Sequence, residues 1–364
     1  MIEEILKKIN NIEDLNKKIM DEAIHYQLKL AKPPKSLGKL EDIAVKISGI
    51  TSKLHNHLDH NSLLVFASDN GVYEEGVSTT PQSVTYAQSI NLTLGKTGAA
   101  TLCKTFNVDL KVYDVGVIGD LSNTLVINKK IKEGTANIKK GPAMTKDECY
   151  KALMIGFKAV EELKDSYDCF GIGEMGIANT TTSSAILSVL LGLPVEEVTG
   201  KGAGLSDLEY QHKIEVIKEA IRVNEPTNDI IDVLTKLGGF DIISMAGAYL
   251  ACAYYHKLVI IDGIISIAAA LAASKFNKKA ASYMLASHKS YEIGYLKACK
   301  ELGLTPLLDL DMRLGEGSGC PLAMQIVKAA CAIQNDMASF EEAKINDDYI
   351  EKINDLDHYQ IKKD

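Results

Sequence analysis

Residues 305–333 read TPLLDLDM-RLGEGSGC-PLAMQIVKAACAI: an apolar segment, a glycine-rich run around one carboxylate, then a segment with helical spacing. Gly315 and Gly317 enclose Glu316, and Ser318 and Gly319 add little side chain to pack. Glycine inside a helix or strand costs ~1 kcal/mol relative to alanine, so the run predicts a tight turn that presents one acid. A strand, a glycine turn and a helix in that order place Glu316 at a strand's carboxyl end, where open α/β sheets keep their ligand sites.

The same alternation continues through the chain. Short β-rich apolar runs occur at 63–68, 110–117, 167–173, 258–263, 281–287 and 306–312, separated by helix-period segments at 81–106, 146–164, 179–191, 208–223, 239–255 and 321–333. Strands alternating with helices predict an α/β fold, Rossmann-like, with a mostly parallel sheet flanked by helices. Several runs end in small or polar residues (ASDNG, GEMG, SHKS, GEGSG), which puts the chemistry along one edge of that sheet. Residues 1–30 carry Ile5, Ile9, Ile12, Leu15 and Ile19 at amphipathic spacing, and the segment 32–48 breaks at Pro33 and Pro34 before resuming as helix. With short polar helices expected in the tail (SFEEAKI, DDYIEKI), the two ends predict a small helical domain of 1–60 and 334–364 beside a catalytic domain of 61–333.

The 364 residues carry a formal charge of -8, which argues against nucleic acid or an anionic membrane surface as partner; either would need a basic face. A small-molecule ligand is expected instead. The seven cysteines are scattered, odd in number and free of C-x-x-C spacing, so neither a disulfide framework nor a zinc site is indicated, and a cytoplasmic chain with reduced thiols is expected. The most apolar run, 258–273, contains Asp262 and is shorter than the ~20 residues that span a bilayer. His55, His57 and His60 sit in a polar segment without a carboxylate-rich partner motif, so no metal and no cofactor are assigned.

Three further loops carry candidate chemistry. GIGEMGIANTTT (171–182) matches G-x-G-x-x-G, but Glu174 inside it would repel a pyrophosphate. Gly176, Asn179 and Thr180 at the start of the following helix suit a single phosphate or phosphoribosyl group, the plain alternative being a glycine turn needed only for close packing. TGKGAGLSDLEYQHK (199–213) is a second glycine turn into a helix, with Gly202, Lys201 and Lys213. In SDNGVYEEGVSTTPQSVT (68–85), Ser78, Thr80 and Gln82 offer hydroxyl and amide groups suited to orienting a heteroaromatic ring. SHKSYE (287–292) adds Ser287, His288 and Ser290, without the G-x-S-x-G elbow of a serine hydrolase.

Taken in order, KPPKSLGKLE, FASDNGVYEEGVSTTPQSVT, GEMGIANTT, TGKGAGL, GGFDIISMAGA, VIIDG, ASHKSYE and LLDLDMRLGEGSG resemble the nicotinate-nucleotide:dimethylbenzimidazole phosphoribosyltransferases of cobalamin biosynthesis. The family pattern usually has DHG where this chain reads Asp69-Asn70-Gly71. The resemblance implies transfer of the phosphoribosyl group from nicotinate mononucleotide to 5,6-dimethylbenzimidazole, with Glu316 as general base. It also implies substrate contacts at Gly176, Asn179, Thr180, Gly202, Lys213, Ser287, Leu314 and Gly315 and, beside the acceptor, at Ser78, Thr80 and Gln82, with Glu174 as a second catalytic residue that holds Lys213 or the ribose. Such chemistry suits these residues: a pyridinium is already a good leaving group, whereas the incoming azole must lose a proton to a well-placed base. A homodimer is implied as well, with helix 239–255 in its contact. The competing expectations are the same reaction with another lower-ligand base (adenine, another benzimidazole or a phenol), a non-catalytic mononucleotide sensor, and a dinucleotide-dependent oxidoreductase.

Overall fold

The computed structural model describes residues 2–202 and 204–348. By internal contacts the chain divides into two units, one of residues 1–13 and 60–323, the other of 14–59 and 324 onward.

The larger unit is built on a six-stranded sheet: β1 (Asn61–Ser68), β2 (Asp109–Gly116), β3 (Ile127–Asn128), β4 (Cys169–Met175), β5 (Leu258–Ile261) and β6 (Met284–Ala286). Its order is β3-β2-β1-β4-β5-β6, with every adjacent pair parallel. Parallel neighbours need crossovers, and helices supply them everywhere except between β2 and β3, so the central strands are covered on both faces and lose the polar alternation of a half-wet sheet. All eight residues of β1 and all four of β5 are buried. The chain runs outward from β1 to β3 and returns to β4 on the other side of β1, which makes the β1/β4 carboxyl ends a topological switch point and the expected place for a ligand crevice.

Helix Phe240–Tyr254 packs against helix Lys146–Leu163 with backbones nearly touching: a Cβ on Gly156 would stand 1.7 Å from the carbonyl oxygen of Ser244, and one on Gly247 2.1 Å from that of Leu153. Phe240 through Ala253 are buried within this chain, so the helix assigned by resemblance to a dimer contact is spent on its own core instead.

Three other differences from the sequence reading have local causes. The segment 306–312 is no strand; it makes a single parallel bridge, Leu308 with His288, beside the end of β6. Pro306 has no N–H to donate to a ladder, and Asp311 turns the backbone out of the extended region with φ +51°. The edge strand β3 escapes the sequence reading because it is two exposed residues long. Helix Ile2–Asn10 belongs to the sheet unit, where Ile5 and Ile9 are buried and Lys8 donates to Glu161 at 2.6 Å and to Tyr255 at 3.3 Å.

The smaller unit contains helices Lys17–Lys29, Lys39–Thr51 and the short Phe340–Ala343. Polar side chains in its interior meet one another: Lys32 lies 2.9 Å from Glu41, and Gln27 donates to Gln334 at 2.9 Å. The tail helix expected over DDYIEKI lies, beyond Asp348, outside the described residues.

Candidate active site

A cavity of about 300 Å³ opens at the carboxyl ends of β4 and β5. Glu316 lines it. Gly315, Glu316 and Gly317 take φ values of +88°, +62° and +81°, three left-handed residues in a row, of which the middle one bears a side chain. A non-glycine residue in this region costs free energy, and such outliers concentrate where a side chain must be aimed. Gln88 Nε2 donates to Glu316 Oε1 at 3.2 Å, and the Ala99 backbone N–H donates to Oε2 at 3.2 Å. The carboxylate is therefore buried, held by two donors, and still lines the cavity.

Residues 315–317 belong to no strand or helix, so the loop's direction is set from outside. It lies on β4, where a Cβ on Gly173 would meet Gly317 Cα at 2.7 Å and a Cβ on Gly171 would meet Cys320 Cβ at 2.6 Å. The Glu316 backbone N–H donates to the Glu174 carboxyl. From the end of β5, Asp262 accepts from Gly317 N at 3.1 Å and from Gly319 N at 2.7 Å.

Lys213, a fully buried side chain of helix Asp207–Asn224, lines the same cavity. Its Nζ donates to Thr180 Oγ1 at 2.9 Å, and burial pulls its pKa down to about 8, against the opposing pull of Glu292. Thr180 and Asn179 open helix Asn179–Leu191, whose N-terminus faces the same space. Glu292 accepts from the Gly202 N–H at 3.1 Å.

Glu174, which also lines the cavity, shares a buried amide with Asp241 behind it. Glu174 Oε2 accepts from Asn179 Nδ2 at 2.5 Å, and Asp241 Oδ2 accepts from the same nitrogen at 2.9 Å. Burial raises Glu174 to about 8 and Asp241 to about 6, and the neighbouring Asp241 and Asp262 charges push Glu174 in the same direction. Desolvation disfavours the charged form, so Glu174 holds its proton at neutral pH.

Of the residues singled out in the sequence, Glu316, Glu174, Gly176, Asn179 and Thr180 line this one cavity. So do Gly202, Lys213, Ser78, Thr80, Leu314 and Gly315. Gln82 does not: it hydrogen-bonds Asp69, and the amide that reaches the cavity is Gln88, nearly two helical turns on. Ser287 is also outside, buried behind the acid loop with its Oγ 2.9 Å from His288 Nδ1. Glu174 bonds Asn179, not Lys213. Asn70, where the resembled pattern carries histidine, is buried away from the cavity and accepts from Thr182 Oγ1 at 3.3 Å.

Asp262, Gln88 and Glu292 line the cavity as well, though the sequence reading assigns them no role. Asp262 has a sequence signal, an acid directly ending an apolar strand; Gln88 has none, since one amide inside a helix looks like any other. Among the described residues, no group of three or more His, Cys, Asp and Glu side chains is placed to hold a metal, and no helix is long and apolar enough to cross a membrane.

Comparison with known proteins places the chain in a family. A family model described as phosphoribosyltransferase matches residues 12–345. The nicotinate-nucleotide–dimethylbenzimidazole phosphoribosyltransferase of Clostridium perfringens is 46% identical over 363 residues, 99% of this chain and 100% of the relative. The protein of that name from Ruminiclostridium cellulolyticum is 47% identical over 339 residues, covering 93% of this chain and 96% of its own. A crystal structure of the Thermus thermophilus protein of the same name superposes with a TM-score of 0.87 at 33% identity, covering 91% of this chain and 99% of that one. The chain belongs to the nicotinate-nucleotide–dimethylbenzimidazole phosphoribosyltransferase family.

Proposed function

We infer that the cavity transfers the 5-phosphoribosyl group of nicotinate mononucleotide to 5,6-dimethylbenzimidazole, giving α-ribazole 5′-phosphate, nicotinate and a proton for the nucleotide loop of cobalamin. The observation that carries this reading is the presence, in one cavity, of a buried carboxylate, Glu316, and a buried lysine, Lys213, bonded to the first turn of a helix.

In this reading Lys213, Thr180, Gly202 and the N-terminus of helix Asn179–Leu191 hold the 5-phosphate, since the positive end of a helix dipole and a cation both favour an anion there. Ser78 and Thr80 lie beside the flat acceptor, and neutral Glu174 offers an O–H to the ribose. The azole nitrogen attacks C1′ from the face opposite nicotinate. As the new C1′–N bond forms, the old one breaks and its electron pair returns to the nicotinate nitrogen. The proton on the azole's other nitrogen passes to the Glu316 carboxylate. A β-nucleotide thus becomes an α-product by a single displacement, with no covalent enzyme intermediate.

A homodimer completes the proposal, supported by the large apolar side chains Tyr291, Ile293 and Leu310 left exposed near the cavity's loop; light scattering decides it. A cytoplasmic location is supported by seven cysteines, all buried as thiols. The direct test incubates the chain with nicotinate mononucleotide and a mixture of dimethylbenzimidazole, other benzimidazoles, adenine and phenols, then identifies products by mass spectrometry. Release of nicotinate with α-ribazole 5′-phosphate as the dominant product is expected; no nicotinate release would refute the reading.

A further inference from the structure

The acid loop raises a question that the transfer chemistry leaves open: what keeps three consecutive left-handed residues pointing one carboxylate into the cavity. Inside the loop there are two tight turns, Ser318 N–H to Gly315 O and Cys320 N–H to Gly317 O, each at 3.0 Å. Neither ties the loop to the sheet. One tie is the Glu316 N–H on the Glu174 carboxyl of β4, and two more come from Asp262, the residue directly after β5, which is 2% exposed.

We propose that Asp262 is a positioning residue for the transfer: by accepting the Gly317 and Gly319 N–H groups, its carboxylate fixes the loop that aims Glu316 at the acceptor. The inference rests on Glu316 being the base. Each Asp262 oxygen has one of these donors, Oδ2 from Gly317 and Oδ1 from Gly319, so the two N–H groups on either side of Ser318 are clamped to one rigid strand end. Gly319 opens helix Gly319–Asp336, so the same carboxylate also sits at a helix N-terminus, where negative charge is favoured.

Asp262 is itself held. Its backbone N–H donates to Ser266 Oγ at 3.0 Å, and that hydroxyl donates to the Ile172 carbonyl of β4 at 2.9 Å. No slack remains at Gly319: a Cβ there would stand 2.3 Å from His288 Nδ1, 2.5 Å from Ser287 Oγ and 3.0 Å from Asp262 Oδ1. Ser287, which the sequence reading placed against substrate, thereby backs the clamp. A carboxylate is the one side chain of this size that accepts at both ends; an amide would turn its NH₂ toward one of the two donors.

The test is a double-mutant cycle with nicotinate mononucleotide and dimethylbenzimidazole. Asp262→Asn should lower kcat on the order of 10²-fold, the cost of misplacing a reacting group by an ångström, while KM for the mononucleotide stays within about threefold. In the Glu316→Gln background the same change should cost nothing further, because a clamp that acts only through the base has nothing left to aim. Additive losses, or a KM that rises with kcat unchanged, overturn the inference. Wild-type turnover in Glu316→Gln alone would instead remove the base assignment and leave no base for the clamp to serve. Should Asp262→Asn fail to fold, amide hydrogen exchange in the wild-type chain decides: Gly317 and Gly319 are expected to be strongly protected, and rapid exchange at both overturns the clamp.

Discussion

A Cβ on Gly173 would lie 2.7 Å from the Cα of Gly317, so the middle of β4 and the loop carrying Glu316 are in backbone contact. The glycines of the G-x-G-x-x-G match follow the same logic. Gly171 abuts Cys320, and a Cβ on Gly176 would come 2.4 Å from the Ser68 carbonyl oxygen. The motif is used for close packing between β4 and its neighbours, which is why it carries Glu174 where a dinucleotide site would not. Gly173→Ala should therefore push the acid loop off β4, lowering kcat by about 10²-fold and stability by about 1–3 kcal/mol. Steady-state kinetics alongside thermal melts check both numbers.

Glu316→Gln keeps the shape of the side chain and both hydrogen-bond anchors in part, but an amide cannot take a proton. Turnover should fall by roughly 10²–10⁴-fold, the usual worth of general-base catalysis. Inorganic phosphate affinity, measured by calorimetry, should be unchanged because the proposed anion contacts, Lys213 and Thr180, bond each other and not Glu316.

Gln88 and the Ala99 N–H each hold one oxygen of the Glu316 carboxylate. Gln88→Ala removes one of the two anchors and should cost roughly 10-fold in kcat, about 1.4 kcal/mol, with a smaller effect on KM for the mononucleotide. An unchanged kcat would show that Ala99 alone suffices to hold the carboxylate.

Lys213 is pulled down to about 8 by burial, so it is charged below that pH and loses its proton above it. Inorganic phosphate should compete with nicotinate mononucleotide, and its affinity should weaken as pH rises through about 8. Lys213→Met should raise KM for the mononucleotide at pH 7 by roughly 10- to 100-fold, as expected for losing a charge-assisted contact of about 1.5–3 kcal/mol. Purely noncompetitive inhibition by phosphate would place the anion elsewhere.

Glu174 is raised from 4.5 to about 8, so the folded chain binds a proton that the unfolded chain releases in this interval. Its contribution to stability is complete below pH 4.5 and is lost as pH rises through about 8. Glu174→Gln, neutral at every pH, should flatten that loss: its melting temperature relative to wild type should be higher at pH 9 than at pH 5, by a few degrees for each roughly 1 kcal/mol recovered. Thermal melts of both proteins at the two pH values settle the sign.

The sequence by itself determined the class of fold, because strands buried on both faces read as unbroken apolar runs and the helices between them keep a 3.6-residue period. It also singled out Glu316, since a carboxylate between glycines has no packing use. What only the tertiary structure decided is which groups surround that acid. Gln88 and Asp262 stand 228 and 54 residues from it in sequence, and they meet it because parallel strands bring their carboxyl ends to one edge. The same limit explains the errors. Gln82 and Ser287 lie in the right loops, yet side-chain direction is set by packing that composition does not encode, and 306–312 has a strand's apolar content without a strand's full ladder of partners.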